Sequence, residues 1–193
     1  KILPKNYRWN DLVNKTGSTQ YNFYRKMLIE LGLSKDFYLQ NIFLNASTSI
    51  REPKNLTTLI TNINNLDWYS IKNKEGKKGA GQYYTPRALI NMVIRLTGPK
   101  LGEVISDPAA GTGGFLIAAD RHIKTKTDQL FNLKLKEQNF QKFEAFKGME
   151  LIVDSHRICM MNLYLHDISA KIIRGNTLSS LGKDLPKSDL IVT

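Results

Sequence analysis

Asp107-Pro108-Ala109-Ala110-Gly111-Thr112-Gly113-Gly114-Phe115-Leu116 is the stretch that decides how this chain is read. A short apolar run at residues 103–107 predicts a strand, and residues 115–123 carry helical spacing. Between them, residues 110–114 form a glycine-rich turn. Glycine has no Cβ, so the backbone there can bend sharply and lie against a ligand. Open α/β sheets bind ligands at the carboxyl ends of their strands, which is where this turn falls. The spacing does not fit the dinucleotide pattern G-x-G-x-x-G, because Leu116 stands in the third glycine's place. No G-K-[ST] follows the glycines, so the turn is not a P-loop either. A purely structural turn could use the same glycines. The acid at the strand tip, Asp107, favours a cationic amino-acid group over a phosphate.

The pattern continues on the C-terminal side. Residues 124–141 are polar and are expected to loop out. Residues 143–150 lead into a second strand, 154–166 form a helix with Ile158, Met161 and Leu165 on one side, and 171–174 and 189–192 read as a third and fourth strand. Alternation of strand and helix predicts an α/β fold with a parallel sheet and helices on both faces. Towards the N-terminus, residues 86–96 read as a helix opened by Pro86, whose missing N–H suits a first helical position. Residues 72–81 are rich in Lys and Gly and are expected to be a basic hinge, giving domains at 1–70 and 82–193 around a 71–81 linker. Residues 1–70 read as helices. Leu12, Tyr24, Leu28 and Leu31 recur at helical spacing, as do Phe37, Ile42 and Phe43. Ser34 is expected to cap a helix with Asp36 in its first turn, Pro53 to break the pattern, and 57–68 to form a further amphipathic helix.

Composition limits the function classes. The 193 residues are 41% hydrophobic and 23% charged, which fits a globular protein with a real core. Twenty-eight Lys and Arg against 17 Asp and Glu give a net charge of +11 and favour an anionic partner such as nucleic acid. The single cysteine excludes an intramolecular disulfide framework or a Cys-based zinc site and suits a reducing, cytoplasmic setting. No apolar run approaches the ~18–20 residues that span a bilayer, and no signal peptide is expected.

Residues 107–116 resemble the S-adenosylmethionine motif of N6-adenine DNA methyltransferases, and Gly81-Gln82-Tyr83-Tyr84-Thr85-Pro86-Arg87 resembles the aromatic-Thr-Pro motif of the same group. Residues 1–70 resemble the helical N-terminal domain of the modification subunit of type I restriction–modification systems, through Tyr7-Arg8-Trp9, Phe23-Tyr24-Arg25-Lys26, Glu52-Pro53-Lys54-Asn55 and Leu66-Asp67-Trp68-Tyr69. The resemblance implies a Rossmann-like methyltransferase sheet whose strands run 3-2-1-4. It implies transfer of a methyl group from S-adenosylmethionine to the 6-amino group of adenine, in a base flipped out of the duplex. As cofactor-binding residues it implies Gln82, Tyr83, Tyr84, Thr85, Pro86 and Arg87 before the first strand. At the turn it implies Asp107, Pro108, Ala109, Gly111, Thr112, Gly113, Gly114 and Phe115. Glu150 would accept the ribose hydroxyls while Leu151 packs on adenine, and Asn176, followed by Thr177, would meet the adenine edge. Asn162-Leu163-Tyr164-Leu165-His166 matches the family's next helix, and His156 and His166 are read as structural, without a metal.

The implied partners are double-stranded DNA, a specificity subunit, a second modification subunit and a restriction subunit, with no membrane. The family's catalytic Asn-Pro-Pro-aromatic motif would begin after Thr193, so no catalytic residue is assigned, and the stretch from Tyr69 to Gly81 is shorter than in relatives. Other readings are an inactive DNA-binding or assembly module, a methyltransferase for RNA or protein, and, against the glycine spacing, a dinucleotide oxidoreductase. Starting at Lys1 and stopping in a strand-like run, the chain is read as part of a longer product. Residues 1–193 alone are expected to be poorly soluble or incompletely folded, because Leu190-Ile191-Val192 would form a bare apolar edge. A soluble, sharply melting product would refute this.

Overall fold

A computed structural model describes residues 7–65 and 85–193. The chain divides into two compact units, 1–79 and 80–193. Gln82, Tyr83 and Tyr84, the 72–81 stretch and Leu66-Asp67-Trp68-Tyr69 lie outside the described residues.

The first unit is helical. It contains α1 (Trp9–Val13), α2 (Gly17–Gly32), α3 (Phe37–Phe43) and α4 (Pro53–Asn64). Apolar side chains at helical spacing meet in one core, built on Leu12, Met27, Leu31, Leu39, Leu56 and Ile60 with Tyr7. Polar groups inside it are paired, as burial demands. Gln20 donates from Nε2 to the Leu12 carbonyl at 2.9 Å and accepts from Thr57 Oγ1 at 2.7 Å, tying α1, α2 and α4 together. Two expectations move. Asp36, not Ser34, is the cap of α3, accepting from the Tyr38 and Leu39 N–H groups, while Ser34 Oγ accepts from Asp36 N–H. A carboxylate is the better acceptor for the unpaired N–H groups of a first turn. Pro53 starts α4 rather than breaking a helix, so the helix expected from residue 57 begins four residues earlier and runs Pro53–Asn64. Proline loses nothing at a first helical position.

The second unit is α/β. Its elements are α5 (Arg87–Thr97), β1 (Ile105–Asp107), α6 (Gly114–Lys126), α7 (Leu135–Asn139), β2 (Phe146–Glu150), α8 (Val153–Leu165), β3 (Lys171–Arg174) and β4 (Leu190–Ile191). All strand pairs are parallel, in the order β3-β2-β1-β4. This is the expected 3-2-1-4 arrangement. Asp107 is in register with Gly148, so β1 and β2 end side by side. Ile105, Phe146, Met149, Leu116 and Leu163 fill the core.

Two readings of this unit are corrected. Residues 124–141 do not loop out. Helix α6 continues to Lys126, a 3-10 turn covers Asp128–Leu130, and α7 leads into a π-helical turn, Phe140–Glu144. Two of the polar residues that suggested a loop are bonded instead: Gln141, 1% exposed, donates from Nε2 to Asp120 Oδ1 at 3.1 Å, and Lys124 pairs with Asp120. The strand of 143–150 starts only at Phe146, because that turn occupies its first residues. Along α8 the buried side is His156, Cys159, Met160 and Leu163, and Ile158, Met161 and Leu165 face outward. His156 is structural, its Nε2 3.0 Å from the Ile172 carbonyl.

Replacing Leu31, which is fully buried, with Ala is expected to destabilise the helical unit by about 2–5 kcal/mol. Leu33→Ala, at a site 76% exposed, is expected to change stability by less than about 0.5 kcal/mol. Denaturant unfolding of the two variants measures both.

Candidate functional site

The glycine turn leaves β1 at Asp107 and enters α6 at Gly114. Its conformation explains its composition. Gly111 has φ +54° and Gly113 has φ +82°, left-handed values that side chains with a Cβ rarely adopt. Gly113 is also crowded: a Cβ there would lie 3.1 Å from Cys159 Sγ on α8.

Most peptides of the turn are tied down. Asp107 Oδ1 accepts from Ala109 N–H at 3.1 Å. Ala110 N–H donates to the Met149 carbonyl at 2.9 Å, and Gly113 N–H to the Ala110 carbonyl at 2.7 Å. Glu150 reaches across from the end of β2. Its Oε2 accepts from Gly111 N–H and its Oε1 from Ile152 N–H, both at 2.8 Å. From α8, Asn162 Nδ2 donates to the Thr112 carbonyl at 3.0 Å. Thr177, in the loop after β3, donates its hydroxyl to the Pro108 carbonyl.

Two buried acids therefore stand beside the turn, Asp107 at 1% exposure and Glu150 at 8%. Burial pushes the Asp107 carboxyl up to about 6; the Ala109 N–H and a hydrogen bond with Thr193 oppose the rise, and the Glu150 charge adds to it. None of these groups is a cation. Burial also pushes the Cys159 thiol up to about 12, with Asp107 and Glu150 adding to the effect. Cys159 is thus a neutral packing group beneath the turn. Next to Glu150, Leu151 and Ile152 expose more than half their surfaces, 58% and 57%, offering an apolar face beside a carboxylate.

Of the expected site residues, Asp107, Pro108, Ala109, Gly111, Thr112, Gly113, Gly114, Phe115, Glu150 and Leu151 come together at the ends of β1 and β2. Phe115 is buried beneath the turn. Asn176 is exposed and its Oδ1 accepts from Leu178 N–H, closing its own turn after β3. Thr85 and Pro86 precede α5, which begins at Arg87, and Ile90 of α5 reaches Gly114: a Cβ there would lie 3.0 Å from Ile90 Cδ1. Sequence reasoning placed Asn162 in a family helix without a role and left Cys159 out of the site; both act on the turn from some 50 residues away in the chain. A separate cleft of about 490 Å³, lined by Pro108, Thr177, Leu185 and Ile191 among others, opens on the β4 side of β1 and includes neither Gly111 nor Glu150. Among the described residues no group of His, Cys, Asp and Glu could hold a metal, and no helix is long and apolar enough to cross a membrane.

The residues present suit a particular kind of ligand. Two carboxylates and an exposed apolar surface match a group bearing a positive charge, hydroxyls and a flat ring, whereas a phosphate would meet repulsion from both acids. The type I restriction enzyme EcoKI methylase subunit of Escherichia coli K12 is 44% identical over all of this chain, and the StySPI methylase subunit of Salmonella potsdam is 43% identical over 99% of it. The chain spans 41% of the length of each. Among solved structures, the EcoKI M protein matches 98% of this chain and 38% of its own, with a TM-score of 0.56 and 44% identity. A modification subunit of a putative type I restriction enzyme from Vibrio vulnificus YJ016 shares the fold, with a TM-score of 0.62 at 22% identity, over 80% of this chain and 35% of its own. The sequence profile of the N-6 DNA methylase family matches residues 69–193, a span that contains the glycine turn, both acids and all four strands. By that match over most of its length, this chain belongs to the N-6 DNA methylase family.

Proposed function

We propose that this chain carries the S-adenosylmethionine-binding part of an adenine-specific DNA methyltransferase, the modification subunit of a type I restriction–modification system. The observation that carries the reading is the Gly111–Gly113 turn held between the buried carboxylates of Asp107 and Glu150. Bound there, S-adenosylmethionine supplies an electrophilic methyl group on a cationic sulfonium. Asp107 offers a negative charge to the donor's cationic amino-acid end. Glu150 has one lone pair of each oxygen committed to a backbone N–H, and the other remains for a ribose hydroxyl. Leu151 gives an apolar face for adenine, Asn176 and Thr177 border it from the loop after β3, and Thr85, Pro86 and Arg87 belong to the site by the resemblance, with Gln82, Tyr83 and Tyr84 before them in the sequence. The chain's contribution is therefore positioning and electrostatics. The target is the 6-amino group of adenine in double-stranded DNA, and the basic surplus supports phosphate contacts that weaken with salt. A specificity subunit, a second modification subunit and a restriction subunit are the proposed partners, in the cytoplasm.

Calorimetric titration of the full-length protein with S-adenosylmethionine, followed by radiolabelled methyl transfer to unmethylated duplex DNA by that protein with its partner subunits, tests the reading. Binding and labelled N6-methyladenine are expected; tighter binding of a nicotinamide dinucleotide would contradict it.

Two further outcomes follow from the acids. A carboxyl raised to about 6 is protonated below that pH and charged above it. Affinity for the cationic donor is therefore expected to level off about one pH unit above 6 and to fall as pH drops through it, and Asp107→Asn should bind weakly without that dependence; titrations across pH 5–8 measure this. Glu150→Gln keeps the shape but turns an N–H donor towards the N–H of Gly111 or Ile152. It is expected to weaken donor binding about 10- to 100-fold, read by the same titration.

A further inference from the structure

Helix α8 touches the glycine turn at two places. Cys159 and Leu163 pack under Gly113, and Asn162 donates to the Thr112 carbonyl at 3.0 Å. The peptide joining Thr112 to Gly113 is therefore held at both ends, its carbonyl by Asn162 and its N–H by the Ala110 carbonyl at 2.7 Å. The residue after this carbonyl is Gly113, at φ +82°. Glycine adopts positive and negative φ about equally, so the backbone itself does little to prevent this peptide plane from turning over. A turned plane would reverse the carbonyl and the N–H between Gly111 and the start of α6, at the surface proposed to receive the donor. Asn162 is well suited to prevent that. It sits in the last turn of α8, half-buried, on a helix anchored to β3 through His156. Asn also carries a helix penalty that Leu or Ala would avoid.

We propose that Asn162 is a positioning residue for the methyl donor: through its hydrogen bond to the Thr112 carbonyl it fixes the plane of the Thr112–Gly113 peptide, and so sets donor affinity without touching the donor. This inference rests on the methyl-donor reading above. It differs from a packing role, because the effect lies in one donated hydrogen bond and not in the volume of the side chain.

The experiment uses the full-length protein with the partner subunits its activity requires. S-adenosylmethionine is titrated calorimetrically into wild type, Asn162→Leu and Asn162→Ala, and methylation of duplex DNA is measured at varied donor concentration. Leu keeps the branched shape and removes the donor; Ala removes both and decides the matter if the Leu variant does not fold. Both variants are expected to bind the donor about three- to tenfold more weakly. KM for the donor should rise in step while kcat at saturating donor stays within about twofold. A variant that folds and binds with wild-type affinity overturns the proposal, as does a fall in kcat with affinity unchanged. Failure of wild type to bind S-adenosylmethionine overturns the methyl-donor reading and this inference with it, and is seen before any variant is compared.

Discussion

One carboxylate organises the second unit. Glu150 ends β2, and its two oxygens take the N–H groups of Gly111 on one side and Ile152 on the other. Hydrogen bonds to an ionised acceptor are roughly twice as strong as neutral ones. These two join the turn after β1 to the turn after β2, which the sheet already brings together by pairing Asp107 with Gly148. The left-handed conformation at Gly111 is thus held by a charged partner. A ligand arriving at the strand ends meets donors and acceptors already in place, and little ordering is left for binding to supply.

The same arrangement stores an electrostatic conflict. Asp107 and Glu150 are both buried beside one turn, and burial, with a smaller addition from the Glu150 charge, raises the Asp107 carboxyl. Titratable groups perturbed by burial and a like-charged neighbour in a ligand-facing position are features of functional sites. A cation bound beside them would relieve that cost and a phosphate would add to it, which is the electrostatic basis of the methyl-donor proposal. Beneath, Cys159 contributes only its bulk, since its thiol is held neutral by the same acids and by burial.

The parallel sheet and its strand order were legible because strand, glycine turn and helix alternate with clear periodicity from residue 103 onward. The family was legible because two motifs stand on either side of α5, the first at its start and the second joining β1 to α6. What the sequence concealed depends on tertiary partners. Residues 124–141 look like a solvated loop until Gln141 is seen paired with buried Asp120. Ile158, Met161 and Leu165 recur at helical spacing, yet α8 buries the neighbouring face, where His156 and Cys159 satisfy or fill the sheet side. The cap at Asp36 and the start at Pro53 were displaced because several polar residues compete to open each helix, and only geometry selects one. The hold of Asn162 on Thr112 spans 50 residues and has no local signal.

The most direct test of the account is a crystal structure with S-adenosylhomocysteine bound. The account predicts ribose hydroxyls on Glu150 with its bond to Gly111 N–H retained, the amino-acid end beside Asp107, and adenine against Leu151. A nucleoside lying instead in the cleft lined by Pro108, Thr177 and Ile191, with Glu150 untouched, would contradict it.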